Sequence, residues 1–342
     1  MLVVLPCVAT GLTYSRVFGT RFASDPATVP RVSDFPGLER TGYRFPSDRG
    51  QMLQGYFYSA AGQEPRGIVV LAHGFGVGGH SAYMGCVNYF AQNGYLVFAY
   101  DATGNDESEG DGVGGFPQGV IDLDRAIRFV YDCGEIPELP VVLFGHSWGG
   151  YSAAAELRFH PEVKAVIEVS GFNRSTDLIE LGGREMVGGL ISLLMPYASA
   201  YERLRFGAYA KNTALDAFAA SDAAVMAVHS ADDDTVPIEY GYDLYYARYA
   251  DDPRFTFRRL EDRGHSTIFY SPEGRDYLDG FNEDFEAWRE SLPYAPEDEP
   301  DRFREDRLAY VAEHLDRARL IGSIDTALFE EMLAFYDRHI ND

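Results

Sequence analysis

A serine with a glycine two places to either side, Gly145-His146-Ser147-Trp148-Gly149, lies between the apolar run Val141 to Phe144 and the small residues Ser152 to Ala154. A strand that turns at once into a helix forces its corner residue into a strained backbone and presses the neighbours two positions away together. Glycine fits there. Such a corner lifts the serine side chain above the sheet, at a helix N-terminus whose unpaired amides favour developing negative charge. Ser147 is therefore a candidate nucleophile. A hydroxyl is a weak one until a base removes its proton, and an imidazole poised near neutral pH is the usual base.

Among the eight histidines, His265 in EDRGHSTIF stands in a glycine-containing loop just past the last predicted strand, at the same sheet edge as Ser147. His73 and His146 lie inside or beside other motifs, His229 ends a strand, and His80, His160, His314 and His339 fall on predicted loops or helices. Position favours His265. The imidazole needs an anionic partner to orient it, and VHSADDDTVP offers Asp232, Asp233 and Asp234 at another strand's end. A tetrahedral intermediate wants two preorganised backbone donors for its oxyanion. One is expected from the Trp148 amide, directly after the serine, and the other from the Phe75 amide in the loop AHGFGVGGH.

These residues need a platform. Short β-branched runs at 67–75, 95–101, 140–147, 163–172, 224–233 and 254–260 read as strands, preceded by a hairpin over 39–59 that turns at Asp48 to Gly50. Helices are predicted at 82–93, 120–133, 148–159 and 239–249, each a crossover between strands. The alternation predicts an α/β fold with a mostly parallel central sheet and helices on both faces. Nearly fifty residues, 173–221, separate two strands, too many for one crossover. Their apolar segment with Leu190, Ile191, Leu193, Leu194 and Met195 makes them a candidate cap insertion facing a fairly apolar acyl or aryl group. The expected organisation is an N-terminal extension (1–38), a core (39–172 and 222–290), the cap, and a tail (291–342) with an exposed acidic connector, YAPEDEPDRFRED. In the closing helix, capped by Asp325, Leu328, Phe329, Met332 and Phe335 share a face that should dock on the core.

A formal net charge of −24 argues against nucleic acid or anionic membrane surfaces as partners. Cys7, Cys86 and Cys133 have neither metal-ligand nor redox spacing and are expected as reduced thiols. No metal constellation or phosphate-cradling loop is evident, so no cofactor is expected; GVGGF at 112–116 does not follow a strand as a dinucleotide site requires. The uncharged first fifteen residues would span about 22 Å as a helix, against about 30 Å of hydrocarbon. A cytoplasmic protein is expected; the alternative is a membrane-anchored one, if the N-terminus is the remnant of a longer hydrophobic segment. Membrane contact would then come only through the N-terminus or the cap.

The order Ser147, Asp233, His265, with HGFG, YDATGNDESEG and GHSWGG, resembles the α/β-hydrolase superfamily. Within it the chain is most similar to the serine-aminopeptidase (S33) and monoglyceride-lipase-like branch, over about Glu39 to Glu290. The resemblance singles out Asp233 among the three aspartates, because Val236 and Pro237 set the register of the frequent H-G-x-x-D-x-x-V-P loop, with Ser230 in place of its glycine. One departure concerns the loop after the fourth strand, commonly D-x-R-G-x-G-x-S-x-G. Here Thr103 replaces the arginine and Asp106 the second glycine, and no catalytic role is carried over to Asp101 or Ser108. The resemblance implies a serine hydrolase, with small-molecule esters as leading substrates. A peptidase acting on short peptides is the alternative, favoured if an acidic amine-binding subsite is present; a catalytically inactive binding protein is a third reading.

Overall fold

The computed structural model describes residues 4–340. Strands β1 (Leu38–Pro46) and β2 (Met52–Ala60) form the opening hairpin, with Gly50 at φ +84° in its turn. β3 (Ile68–Ala72), β4 (Leu96–Tyr100), β5 (Val141–His146), β6 (Ala165–Val169) and β7 (Ala224–Ser230) are buried along their whole length. Strands covered on both faces are predominantly apolar, which is why these segments read as hydrophobic runs, with Glu168 of β6 and His229 of β7 as buried exceptions. With β8 (Phe255–Leu260) at the edge, they make one eight-stranded sheet in the order β1-β2-β4-β3-β5-β6-β7-β8. From β4 to β8 every pairing is parallel. The order reverses at β3, which lies between β4 and β5, and ligands of open α/β sheets bind at the carboxyl ends of the strands at such a switch point.

Helix α1 (Val4–Phe18) precedes the sheet, and α2 (Met84–Gln92), α3 (Phe116–Asp132) and α4 (Trp148–Glu156) follow strands as expected. Helix α3 begins four residues earlier than the apolar periodicity implies, because Pro117 suits the first helical turn. The insertion resolves into α5 (Ser175–Val187), α6 (Ile191–Phe206) and α7 (Ala214–Ala220). Ala214, Ala217 and Phe218 of α7 are buried in the main core, so α7 is the crossover helix and α5 with α6 the excursion. The N-terminal helix packs on that excursion: Tyr14 donates to Glu202 Oε1 at 2.8 Å, and Tyr14, Phe18 and Phe206 share a small core. Among the described residues no helix is long and apolar enough to cross a membrane.

After α8 (Tyr242–Tyr249) and β8 come α9 (Pro272–Glu290), α10 (Pro300–His314), α11 (Arg317–Ile321) and α12 (Thr326–His339). The expected acidic connector is in part helical, since α10 starts inside it. Its charges pair along the helix, Arg302 with Glu299 and Asp306 and Arg304 with Asp301, while Tyr310 stacks on Trp288 of α9 at 4.5 Å. A dense charge run masks a helix whose Phe303, Leu308, Tyr310 and Val311 pack against α9 and the small core beside it. Helix α12 docks as its pattern predicts: Asp325 caps it, and Leu328, Phe329, Met332 and Phe335 are buried in the core on one face of the sheet. Cys86 and Cys133 are free thiols; the side chain of Cys7 lies outside the described part.

Candidate active site

Ser147 stands at φ +58° between β5 and α4, a left-handed backbone that costs a non-glycine residue about 1 kcal/mol or more. A Cβ on Gly145 would lie 2.0 Å from the Gly149 carbonyl oxygen, and one on Gly149 would lie 2.0 Å from that of Ala72. Both glycines are therefore required by close backbone approach. The Ser147 amide donates to Val169 O at 2.8 Å, which ties the corner to β6.

Asp233 and His265 meet at the same sheet edge. His265 Nδ1 lies 2.7 Å from Asp233 Oδ2, so Nδ1 carries the proton and Nε2 is left as an acceptor. The other carboxylate oxygen, Oδ1, accepts from the Thr235 and Val236 amides at 3.0 and 2.8 Å. Burial pushes this carboxyl up, but hydrogen bonds from His229 and His265 outweigh it and hold Asp233 well below the usual carboxylate range. Its neighbours do other work. Asp232 accepts from the Arg263 and Gly264 amides at 3.1 and 3.0 Å, shaping the loop that carries His265, and Asp234 accepts from its neighbour Thr235.

Ser147 and His265 line one cavity of ≈ 240 Å³, together with Phe75, Phe116, Trp148 and Phe172. Among the described hydrogen bonds none joins Ser147 Oγ to the His265 ring; what brings them together is this shared cavity. Phe75 and Trp148 come from other segments than His265, one after β3 and the other opening α4, where the first amides of a helix have no intrahelical acceptor.

Four residues that sequence reasoning left without a role complete the site. His73 accepts from the Ala102 amide through Nε2 at 3.0 Å, so its Nδ1 donates to Gly74 O at 2.8 Å. That bond holds the Gly74–Phe75 peptide plane, and in a trans peptide it points the Phe75 amide the opposite way. His146 Nε2 donates to His265 O at 3.1 Å, and its Nδ1 accepts from Tyr83 Oη at 2.8 Å. Tyr83 Oη in turn accepts from the Gly74 amide at 3.0 Å. One chain of hydrogen bonds thus joins the loop after β3, the elbow and the His265 loop. Burial, and then the adjacent His265 ring, push His146 down to about 3, so it is neutral and keeps this tautomer. His229 is the fourth: fully buried, it donates to Val236 O at 2.8 Å and lies 3.3 Å from Asp233 Oδ2. Its signal was present in the sequence, as the histidine that opens the H-G-x-x-D form.

The departures in the loop after β4 serve the scaffold. Thr103 donates its amide to Asp122 Oδ2 of α3 at 2.7 Å, and Asp106 accepts from Ser24 of the N-terminal segment. The expected cap contacts are corrected: from 173–221 only Leu178 lines the cavity, while Leu190 and Leu193 are exposed and Ile191 is buried elsewhere. The period of the apolar run gave the helix but not the direction its face would take. One group with metal-ligand chemistry, which spacing did not reveal, brings together buried Asp124, Glu156 and His160. Arg128 and His160 already donate to Asp124 at 2.9 and 3.0 Å, and none of the three lines the cavity.

A reversed strand order at β3, an elbow after β5 and loops bearing acid and imidazole after β7 and β8 define an α/β hydrolase. Residues 63–239, more than half of the chain, match the model of the serine aminopeptidase family S33, and the protein belongs to that family. Among solved structures, an esterase of Pyrococcus furiosus is similar at 16% identity and a TM-score of 0.55, over 78% of this chain and 96% of that one. An acylaminoacyl peptidase of Pyrococcus horikoshii, also at 16% identity, gives a TM-score of 0.51 over 68% of this chain and 38% of its own. At these identities the likeness is one of fold. No curated protein sequence matches the chain.

Proposed function

We propose that the protein is a serine hydrolase that cleaves carboxylic esters through an acyl-enzyme on Ser147. The observation that carries this is the strained elbow serine sharing a cavity with His265, whose Nδ1 is held by Asp233 at 2.7 Å. In the proposed mechanism Ser147 Oγ forms a bond to the ester carbonyl carbon as His265 Nε2 takes its proton. Asp233 stabilises the imidazolium. The oxyanion is held by the Phe75 and Trp148 amides. Collapse breaks the bond to the alcohol oxygen, which leaves with the proton from His265; water, activated by the same ring, then releases the acid. The Ser147–His265 hydrogen bond belongs to the substrate complex, since such contacts in unliganded enzymes are often long and tighten on binding.

Esters are favoured over aminoacyl amides by the lining of the cavity. A subsite for a free α-amine would present a carboxylate, and among the described residues lining the cavity none has one. A fluorophosphonate probe should label wild type and not Ser147→Ala; absence of labelling in folded wild type would promote the binding-protein reading. In a panel of p-nitrophenyl esters and aminoacyl-β-naphthylamides, turnover of amides without a preference for esters would favour the peptidase.

A further inference from the structure

The catalytic cavity adjoins a second one of ≈ 140 Å³, and Val77, Tyr83, His146 and Ser266 line both. Much of the far wall comes from outside the family match: Leu320 and Ile321 of α11, Ile324 ahead of α12, and Phe35 from the N-terminal segment. Arg317 also borders it, but its charge is engaged. Its guanidinium donates to the carbonyls of Val29, at 3.1 Å, and Ala27, with Asp34 3.7 Å away. This clamp ties the N-terminal segment to α11 and leaves a mainly apolar interior. A cavity of about 150 Å³ lined by Leu, Ile and Phe admits benzene, so this one has room for a single aromatic ring or a branched chain of similar size.

Direction follows from the chemistry. The departing oxygen must take its proton from His265, so the group it carries lies on the histidine side of Ser147. Ser266, next to His265, and His146, which holds the His265 carbonyl, border the second cavity. Phe116, Phe172 and Leu178 line the first cavity alone, on the side left for the acyl group. We infer that the second cavity is an alcohol subsite, shaped for esters of compact apolar alcohols of about benzyl size. The inference rests on the ester-hydrolase reading and assigns the C-terminal helices a part in selectivity.

Gly85 of α2 offers a way to fill the subsite. A Cβ there would meet Ile324 Cδ1 at 3.9 Å, an ordinary contact, and its backbone is helical, so replacement by a helix former also strengthens α2. The experiment measures kcat/KM for benzyl, methyl and 2-naphthylmethyl acetates in wild type, Gly85→Ala, Gly85→Leu and Ile324→Ala, with fluorophosphonate labelling of each. Gly85→Leu should lower the benzyl-to-methyl ratio about tenfold, and Gly85→Ala should lower it less. Ile324→Ala should raise the naphthylmethyl-to-benzyl ratio about fivefold. Labelled enzymes whose ratios all stay within about twofold of wild type would overturn the subsite while leaving the hydrolase intact. Unlabelled wild type would remove the hydrolase reading and the subsite with it.

Discussion

Among the described residues, two histidines meet an aspartate through Nδ1 with nearly the same bond. His265 Nδ1 meets Asp233 Oδ2 at 2.7 Å, and His80 Nδ1 meets Asp101 Oδ1 at 2.6 Å. Both carboxyls are held below their ordinary range despite burial, Asp233 first by the hydrogen bonds from His229 and His265, and Asp101 first by electrostatic attraction to the His80 ring and then by the hydrogen bonds it accepts. They differ at the far nitrogen. The Nε2 of His80 accepts from Tyr58 Oη at 2.7 Å inside the protein, whereas His265 faces a cavity that also holds Ser147. An imidazole braced by a carboxylate is thus not in itself a catalytic signature; on the proposed reading, what separates the pairs is an acceptor nitrogen open to a reacting hydroxyl.

Breaking the first pair should abolish activity, and breaking the second should cost mainly stability. Ser147→Ala and His265→Ala are expected to lower ester kcat/KM by about 10⁵-fold or more with unchanged circular dichroism. Asp233→Asn should cost about 10³- to 10⁴-fold by leaving the wrong tautomer on His265. In steady-state assays beside it, Asp234→Asn should stay within about threefold.

The hydrogen-bonded chain through His146 sharpens the comparison, because it braces the His265 loop from the other side. Tyr83→Phe removes the acceptor for the Gly74 amide and the donor to His146, and should lower kcat/KM about tenfold, equivalent to ~1.4 kcal/mol. Labelling by fluorophosphonate should slow in parallel. No change in either rate would show that the brace is dispensable.

Asp101→Asn should leave ester turnover within about threefold while destabilising the fold by about 3 kcal/mol, since it strips one partner from a buried pair. The sign of its pH dependence follows from a depressed carboxyl. Asp101 contributes stability above its unfolded value of 3.8, and that contribution is lost as pH falls through the lower folded one. The gap in melting temperature between wild type and Asp101→Asn should therefore be full near pH 6 and shrink below about pH 4. A gap that widens in acid would reverse the assignment.

Much of this was legible in the chain. The elbow is readable because steric exclusion at Gly145 and Gly149 is a local fact, and the sheet because doubly covered strands are predominantly apolar. His265 and the three aspartates 232–234 follow from where strands end, and the family resemblance picks Asp233 among them. The brace was not legible: His146 and His265 are 119 residues apart, and no local rule says which carbonyl a buried imidazole will find. Nor could periodicity tell that Leu193 would face solvent while Leu178 faced the cavity, since that depends on how α5 and α6 dock. Helix α10 was obscured for the opposite reason, its charges satisfying one another along the surface instead of pointing to a core.

The most direct test of the account is an acid-quenched reaction with p-nitrophenyl butyrate followed by peptide mass mapping. One butyryl group on the peptide carrying Ser147, absent from Ser147→Ala, is the predicted result. Turnover of the ester with no adduct on that peptide, or with the acyl group on another residue, would contradict it.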